Sequence, residues 1–336
     1  MERQAIPVPL TGWQCSLSNS GIGVRTGGRQ VLRAGRIIDL TGRWKENLIS
    51  VDGHQIATRT YNMEKTGPLV VFIHGITSSV ALWPTLLEGS RLLKDARCLS
   101  VSLPGHWPST APSGLTTDKV STVLFARTLR AAIDTHDSEC PVHLAGWSTG
   151  GFASLVLAAD ADFRDRVLSV TCFSGFARGK WHSWLGLWQH LAAWKIHRIS
   201  FHLTLAALRS LSWLHIAVMT RFLGRPNDRR LRVALAASTM HAELRAHDGA
   251  SLQAMMGGIR SMDLTSDLSQ IRCQVTVVAG EYDPVIRLSE ARHLADHVQS
   301  SELVILPGIG HMLPVEAPET MIRMIEMSIE SSRSKE

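Results

Sequence analysis

Short apolar runs alternate with segments of helical period along most of the chain, from about residue 48 onwards. The runs are continuously apolar and rich in β-branched residues, which is typical of strands that a parallel sheet buries on both faces. Between them, Phe152, Leu155, Val156 and Ala159 fall at i, i+3, i+4 and i+7, the spacing of a helix packed on such a sheet. The pattern predicts an α/β fold with strands at residues 69–73, 98–103, 142–146, 167–173, 275–280 and 303–306.

An antiparallel pair is expected before the first of these strands. Residues 48–51 and 55–60 flank Asp52-Gly53, a dipeptide that favours a tight two-residue turn because both positions accept a positive φ. The sheet should therefore begin with an antiparallel hairpin at one edge.

The strand pattern stops after Phe173 and resumes near Ile271, which leaves about a hundred residues of helix and loop. We interpret residues 176–265 as a helical lid (cap) inserted into an α/β core that is formed by residues 47–175 and 266–336. Residues 1–46 lack strong periodicity. They are expected to form an N-terminal extension, to which no function is assigned.

The predicted lid is rich in tryptophan and holds five of the ten in the chain. Trp181, Trp184 and Trp188 fall at i, i+3 and i+7, which predicts that they share one face of a helix. The apolar stretch at residues 201–223 is interrupted by two histidines and two arginines, too many polar side chains for a membrane-spanning helix. A pair of lid helices is expected there instead.

The charge balance bears on possible partners. The chain has 35 Lys and Arg against 29 Asp and Glu, a formal net charge of +6, and its basic residues concentrate in the N-terminal extension and the lid. No nucleic-acid-binding motif accompanies them, so nucleic acid is not expected as a partner. The basic lid is either a solvated face or a surface attracted to an anionic membrane or to an acidic carrier protein that presents the substrate.

The cysteines and the N-terminal residues indicate a reducing compartment. The five cysteines are scattered, odd in number and without metal-ligand spacing, so buried free thiols are expected and no metal site is expected. The first residues contain no apolar run of signal-peptide length, which predicts a cytoplasmic location.

The strongest chemical motif lies at the end of the predicted strand 142–146. The chain there reads Gly146-Trp147-Ser148-Thr149-Gly150, and a helical stripe follows at once. A GxSxG motif between a strand and a helix is the setting of a nucleophile elbow, in which glycines remove side chains that would collide with neighbouring backbone. The motif predicts Ser148 as a nucleophile presented at a helix N-terminus.

A nucleophilic serine needs a base, and the base needs an acid that orients it. Asp283 follows the predicted strand 275–280, and His311 follows the last predicted strand. Both are therefore expected at the carboxyl edge of the sheet, where the catalytic groups of open α/β sheets gather. The chain order Ser148, Asp283, His311 predicts a catalytic triad.

Acyl transfer also needs two backbone donors for the oxyanion. One is expected to be the N–H of Thr149, directly after the nucleophile. The other is expected to be the N–H of Ile76, in the loop His74-Gly75-Ile76 that follows the first central strand. We interpret His74 as a brace for that loop rather than as a second catalytic histidine.

Together these landmarks resemble the α/β-hydrolase family over roughly residues 48 to 330. The resemblance is carried by the serine elbow and by His74-Gly75, Leu103-Pro104-Gly105-His106, Glu281-Tyr282-Asp283-Pro284 and Gly310-His311. It implies the α/β-hydrolase fold, with a mostly parallel eight-stranded sheet flanked by helices, and a serine hydrolase of the carboxylesterase or lipase-like type. Trp147, directly before the nucleophile, is similar to the pattern of carboxylesterases in that family.

The predicted mechanism is attack by Ser148 on an ester, thioester or lactone carbonyl through an acyl-enzyme, which requires no metal and no organic cofactor. The substrate is expected to be hydrophobic, either a small molecule or a carrier-bound acyl group, because tryptophans lie near the predicted pocket. The candidate substrate contacts are Trp83, Trp107, Trp147, Trp181 and Trp184.

Three alternatives stay open. An acyltransferase or cyclase would use the same acyl-enzyme but exclude water, and a carbon–carbon bond hydrolase would use the same triad on a diketone. A ligand-binding receptor would keep the triad with negligible turnover. Haloalkane dehalogenation is not expected, because Ser148 stands where that chemistry needs an aspartate.

Overall fold

The computed structural model describes residues 6–7, 43–224 and 229–333. Within these ranges nine strands pair into one sheet: β1 (Ile6–Pro7), β2 (Lys45–Val51), β3 (His54–Tyr61), β4 (Leu69–Ile73), β5 (Arg97–Val101), β6 (Val142–Trp147), β7 (Val167–Phe173), β8 (Gln274–Gly280) and β9 (Ser301–Leu306). Their order across the sheet is β1-β9-β8-β7-β6-β4-β5-β3-β2. The eight longer strands form the predicted, mostly parallel sheet, and the two-residue β1 extends it at one edge.

The sheet has a parallel centre and an antiparallel edge. Neighbouring strands pair in parallel from β1 through β9, β8, β7, β6 and β4 to β5, whereas β3 pairs antiparallel with both β2 and β5. The predicted hairpin is confirmed, because Asp52 and Gly53 turn the chain with φ angles of 49° and 79°. Two successive positive φ angles match the right-handed twist of the strands that the turn connects.

Helices flank this sheet and join its parallel strands. Before β7 they are α1 (Leu82–Leu87), α2 (Leu92–Asp95), α3 (Thr122–Asp134) and α4 (Thr149–Ala159). Between β7 and β8 the described residues form α5 (Ser183–Ala193), α6 (Arg198–Ser210), α7 (Ser212–Phe222), α8 (Arg229–Ala237), α9 (Met240–Ala246) and α10 (Gly249–Ile259). After β8 follow α11 (Leu288–His297), α12 (Leu313–Glu316) and α13 (Pro318–Arg333). Residues 183–259, which span α5 to α10, are called the helical segment below.

The centre of the sheet lies deep in the core. Every residue of β4, β5 and β6 is buried, as continuous apolar runs predict for strands covered on both faces. Helix α4 is buried along almost its whole length, because its small residues allow close packing on the sheet. A Cβ added at Gly151 would lie only 2.9 Å from the Sγ atom of Cys172. The helix that follows the serine elbow is therefore held rigidly against the strands.

The start of the helical segment differs from the prediction. Trp181 does not share a helical face with Trp184 and Trp188, because α5 begins only at Ser183, whose φ of 58° interrupts the chain before the helix. Trp184 and Trp188 do lie together, with stacked rings whose centroids are 5.5 Å apart. Trp181 instead packs edge-on against Phe176 at 5.8 Å.

The predicted helix pair at residues 201–223 corresponds to α6 and α7. The two helix axes are bent by 110° relative to each other, because Leu211 between them is extended, with φ −120° and ψ 92°. Among the described residues, no single helix is long and apolar enough to cross a membrane. The bent pair reaches the required length and apolarity only when its two helices are counted together.

The cysteines of the described ranges are Cys98, Cys140, Cys172 and Cys273, all buried and free. Burial raises the pKa of Cys98, Cys172 and Cys273 to about 12. These three thiols are therefore uncharged and unreactive at neutral pH. Cys15 and most of the predicted N-terminal extension lie outside the described residues.

Candidate active site

Ser148 stands in the tight turn between β6 and α4. Its φ of 55° and ψ of −116° are rarely adopted by residues other than glycine, so the surrounding structure must hold the turn in place. The flanking glycines make the turn possible: a Cβ at Gly146 would lie 2.2 Å from the carbonyl oxygen of Gly150, and one at Gly150 would lie 2.1 Å from that of Ile73. The Ser148 N–H donates to the carbonyl of Phe173 at 2.8 Å. The serine hydroxyl is thereby fixed at the N-terminus of α4.

Three side chains singled out by the sequence meet in one hydrogen-bonded chain. His311 Nε2 lies 3.0 Å from Ser148 Oγ, and His311 Nδ1 lies 2.8 Å from Asp283 Oδ2. The other oxygen of Asp283 accepts the backbone N–H groups of Val285 and Ile286, each at 2.9 Å. Because the carboxylate holds the Nδ1–H, Nε2 can accept a proton from the serine. All three side chains are buried.

The backbone around His311 is clamped from two directions. The carboxylate of Glu316 accepts the N–H groups of Gly310 and Met312, at 3.1 and 2.9 Å. The N–H of His311 donates at 2.7 Å to the carbonyl of Leu223, just after α7. Glu316 is not among the predicted site residues, and its place five positions after His311 is its main sequence signal.

Trp147 links the elbow to the histidine loop. Its indole N–H donates to the carbonyl of His311 at 3.0 Å, and the two rings lie 5.8 Å apart. The same indole lines the cavity in front of Ser148. The residue before Ser148 therefore both holds the backbone of His311 and forms part of the cavity wall.

The loop after β4 passes directly over Ser148. Ile76 and Thr77 line the same cavity as Ser148, and Thr77 has a φ of 61°, which turns the loop sharply. A Cβ at Gly75 would lie 3.3 Å from the Cβ of Ser148 and closer still to the Trp147 ring. Only glycine at position 75 allows the loop to approach the serine this closely.

His74 braces this loop from beneath. Its Nδ1–H donates to the carbonyl of Gly75 at 2.8 Å, and its Nε2 accepts the N–H of Leu103 at 3.0 Å. Burial lowers the pKa of His74 to about 3, so the ring is neutral. His74 has no contact with the hydrogen-bonded chain of Ser148, and its bonds connect the loops that follow β4 and β5.

The helical segment braces the same loop from above. The ring nitrogens of His247 lie 2.5 Å from the carbonyl oxygen of Glu243 and 3.1 Å from that of Ser78. The buried carboxyl of Glu243 accepts a hydrogen bond from Thr239 Oγ1 at 2.6 Å and is also hydrogen-bonded to Ser79. Burial lowers the pKa of His247 to about 4 and raises that of Glu243. These two residues, spaced i and i+4, are absent from the sequence prediction.

A narrow, mostly apolar cavity opens in front of Ser148. Its walls are Ile76, Thr77, Trp147, Ser148, Trp184, Leu185, Trp188, Leu208, His215, Val218, Met219, Leu223, Leu244, His311 and Met312. His215 is the polar group in the wall that the helical segment contributes, and burial lowers its pKa to about 4. The cavity therefore offers an apolar channel with one neutral imidazole opposite the core.

Two of the five tryptophans predicted to contact substrate, Trp147 and Trp184, line this cavity. The cavity lining does not include Trp83, Trp107 or Trp181. Trp83 is fully buried and packs against phenylalanines of β4 and β7, and Trp181 turns into the core because α5 begins after it. Trp107 lies in a half-buried loop after β5. Trp188 takes a wall position that the sequence did not predict.

No cluster of three or more His, Cys, Asp or Glu side chains placed to share a metal ion occurs in the described part of the chain. What the site does offer is an oriented imidazole, a serine hydroxyl within reach of it and an apolar channel. That combination can remove a proton from the hydroxyl and stabilise the imidazolium that results.

Known proteins resemble this chain in sequence and in fold. The model of the alpha/beta hydrolase family matches residues 70–324. The chain is 26% identical over 270 residues to the pimeloyl-[acyl-carrier protein] methyl ester esterase of Nitrosomonas europaea, a match that covers 76% of this chain and 93% of that protein.

Solved structures with the same fold include an enol-lactonase from Burkholderia xenovorans, with a TM-score of 0.68, 20% identity and coverage of 84% of this chain and 100% of that one. Another is a thermophilic esterase from Thermogutta terrifontis, with a TM-score of 0.66, 19% identity and coverage of 86% and 99%. At about 20% identity these structural matches show the fold alone. The match to the family model spans most of the chain. The protein therefore belongs to the alpha/beta hydrolase family.

Proposed function

We propose that this protein is a serine hydrolase that cleaves an ester-type bond of a hydrophobic substrate through an acyl-enzyme. The observation that carries the proposal is the hydrogen-bonded chain from Ser148 through His311 to Asp283, with the serine in a strained turn at the sheet edge. An idle serine would need neither the strained backbone nor a buried acid held by two N–H groups.

In the proposed mechanism, His311 Nε2 takes the proton of Ser148 as its Oγ attacks the carbonyl carbon. The imidazolium is stabilised by Asp283 and then protonates the leaving alkoxide, so that an acyl-Ser148 ester remains. His311 then takes a proton from water as the water oxygen attacks this ester, and the imidazolium returns that proton to Ser148 Oγ as the acid leaves. The N–H groups of Ile76 and Thr149 are proposed to stabilise the oxyanion in both steps, which is worth about 3 to 4 kcal/mol for each donor.

The substrate class follows from the cavity and from the relatives. A channel with walls of tryptophan, leucine, valine and methionine favours an apolar acyl chain, since apolar groups gain about 0.8 kcal/mol for each buried methylene. The curated relative is a methyl ester esterase that acts on a carrier-bound pimeloyl group, and the solved relatives include esterases and an enol-lactonase. We propose an ester or lactone with an apolar acyl group, either free or carried by an acyl-carrier protein.

The first test is covalent labelling of the full chain with a fluorophosphonate probe, followed by mass spectrometry of the intact protein. One adduct is expected on the wild type, none on Ser148→Ala, and slower labelling on His311→Ala, since the base activates the serine. The exposed Ser210→Ala in α6 is the matched control and should label as the wild type does. Failure of the folded wild type to label would contradict the proposal and favour a binding protein without turnover.

The second test measures kcat/KM on p-nitrophenyl esters with acyl chains of increasing length. A rise with chain length is expected up to the limit of the channel, because each added methylene is buried. A flat series would contradict the apolar-channel assignment. Product analysis with and without an added alcohol separates hydrolysis from acyl transfer, since a transferase would form the new ester at the expense of the acid.

A further inference from the structure

The outer face of α6 and the short turn just before it carry exposed apolar side chains that a folded protein usually buries. Ile196, Ile199 and Leu203 follow one another at helical spacing and expose 82%, 75% and 66% of their surface. At the bend between α6 and α7, Trp213 exposes 65%. The exposed apolar residues from Trp194 to this bend are called the apolar ridge, which comprises Trp194, Ile196, Ile199, Leu203, Leu211 and Trp213.

The opposite faces of the same two helices look into the active site. Leu208 of α6 and His215, Val218 and Met219 of α7 line the cavity in front of Ser148. Helix α6 therefore has apolar residues on both sides: Leu208 lines the cavity, whereas Ile199 and Leu203 are exposed. Exposed apolar side chains grouped in this way are typical of a surface that binds another protein or a membrane.

Helices α6 and α7 carry basic charges and no acidic ones, and the neighbouring Asp118 interacts electrostatically with Lys195. The sequence contains no Asp or Glu between Arg166 and Asp228. Lys195 is exposed and Arg198 is half-buried, and both lie beside the exposed isoleucines. A surface formed by helices that are themselves basic and apolar complements a bilayer that carries anionic headgroups.

We infer that the apolar ridge docks onto the surface of an anionic lipid bilayer, with α6 and α7 lying in the interface rather than crossing it. The 110° bend between the helices excludes a straight span and allows both to lie near the interface plane. The two exposed tryptophans, Trp194 and Trp213, are the residue type that prefers the headgroup region. A charged carrier protein would be met by basic residues at the centre of the surface, whereas here large aliphatic side chains occupy that centre.

The test is sedimentation of the full-length protein with vesicles of phosphatidylcholine mixed with phosphatidylglycerol, compared with phosphatidylcholine alone. The wild type is expected to bind the mixed vesicles more strongly, and less so at high salt. The double substitution Ile199→Gln with Leu203→Gln should weaken binding at least about tenfold, because two aliphatic side chains no longer enter the interface. Lys195→Gln should weaken binding a few-fold and reduce its dependence on salt.

The matched controls are Val123→Gln on α3 and Met327→Gln on α13, both exposed apolar residues on core helices. They should leave vesicle binding unchanged. Absence of wild-type binding to the anionic vesicles would overturn the inference, as would equal losses in the ridge and control variants. Sedimentation velocity without lipid adds a third outcome that overturns it: a dimer that the ridge substitutions dissociate would show that a second copy covers the ridge.

This inference stands apart from the proposed reaction. Ser148→Ala is expected to bind vesicles as the wild type does, because the serine faces the cavity and not the ridge. The ridge variants should still hydrolyse a short soluble ester at the wild-type rate if the reaction proposed above is right. Loss of either result therefore identifies which of the two proposals has failed.

Discussion

The core and the helical segment contribute to the site in different ways. In the core, Ser148, Asp283 and His311 each follow a strand, and the parallel sheet brings the three loops to one edge. The helical segment instead supplies walls of the cavity and hydrogen bonds that support the site. His247 bonds to the loop after β4, and the Leu223 carbonyl accepts the backbone N–H of His311. The placement of the three proposed catalytic residues thus depends on local turns at strand ends, whereas that of their surroundings depends on contacts made by the helical segment.

The largest expected effect tests the core side of this comparison. Asp283→Asn should lower kcat about 10⁴-fold, because an amide cannot hold the Nδ1–H of His311 and favours the wrong tautomer. Steady-state kinetics on a short ester measures the loss, and the exposed Asp296→Asn on α11 serves as control. A change confined to KM would show that Asp283 binds substrate instead of orienting the base.

Trp181 and Trp184 distinguish a role in core packing from a role in the cavity wall. Trp181→Ala should lower the free energy of unfolding by about 3 to 5 kcal/mol, because it empties a site in the core. Trp184→Ala should cost less stability and instead raise KM for long acyl chains. Urea unfolding and kinetics on the graded esters measure the two effects. The reverse pattern would mean that Trp181, not Trp184, contacts the acyl chain.

The pH dependence of stability tests the buried histidines. The pKa of His247 is lowered by burial from 6.5 to about 4, so between these values the unfolded chain takes up a proton that the folded chain refuses. The share of stability that depends on this group should therefore be full above pH 6.5 and fall as the pH drops towards 4, by about 3 kcal/mol.

His247→Gln should remove the part of the pH dependence of the free energy of unfolding that His247 causes. Glu243, whose pKa is raised by burial, acts in the opposite direction in the wild type and in the variant, so the difference between them isolates the histidine. Denaturant titrations at a series of pH values provide the measurement. Identical slopes in the two proteins would mean that His247 is charged when folded.

The smallest expected effect tests how Glu243 supports the loop after β4. Glu243→Gln should lower kcat about tenfold with little change in KM, because the amide replaces one acceptor oxygen by an N–H donor facing Thr239 or Ser79, so that the loop and its proposed oxyanion donor shift. The exposed Glu330→Gln on α13 is the control. A normal kcat in the folded variant would mean that the helical segment encloses the site without shaping it.

The sheet was predictable because buried parallel strands have a strong local signature. Five of the six predicted central strands agree with the structure within one residue at their starts, and β9 begins two residues earlier. Ser148, Asp283 and His311 could be proposed because each follows a strand or a turn motif. The serine elbow and the hairpin at Asp52 need particular backbone angles, and glycine reveals them in the sequence.

The walls of the cavity could not be read in the same way. Whether a tryptophan faces core or cavity depends on where its helix begins, and the single residue Ser183 decides this for Trp181. Glu243 and His247 look like polar positions of an amphipathic helix, yet both are buried. The predicted cytoplasmic location stays a prediction.

The bond from the His311 N–H to the Leu223 carbonyl constrains how substrate enters. If the whole helical segment moved away as one body, the Leu223 carbonyl would leave the N–H of His311. The imidazole of His311, the proposed base, would then be held less firmly. We therefore expect a long acyl chain to enter by a movement of α6 and α7 that keeps Leu223 in place, so that His311 can still act as the proposed base. In that case the end of the helical segment near Leu223 stays fixed, and only its far end moves to open the cavity.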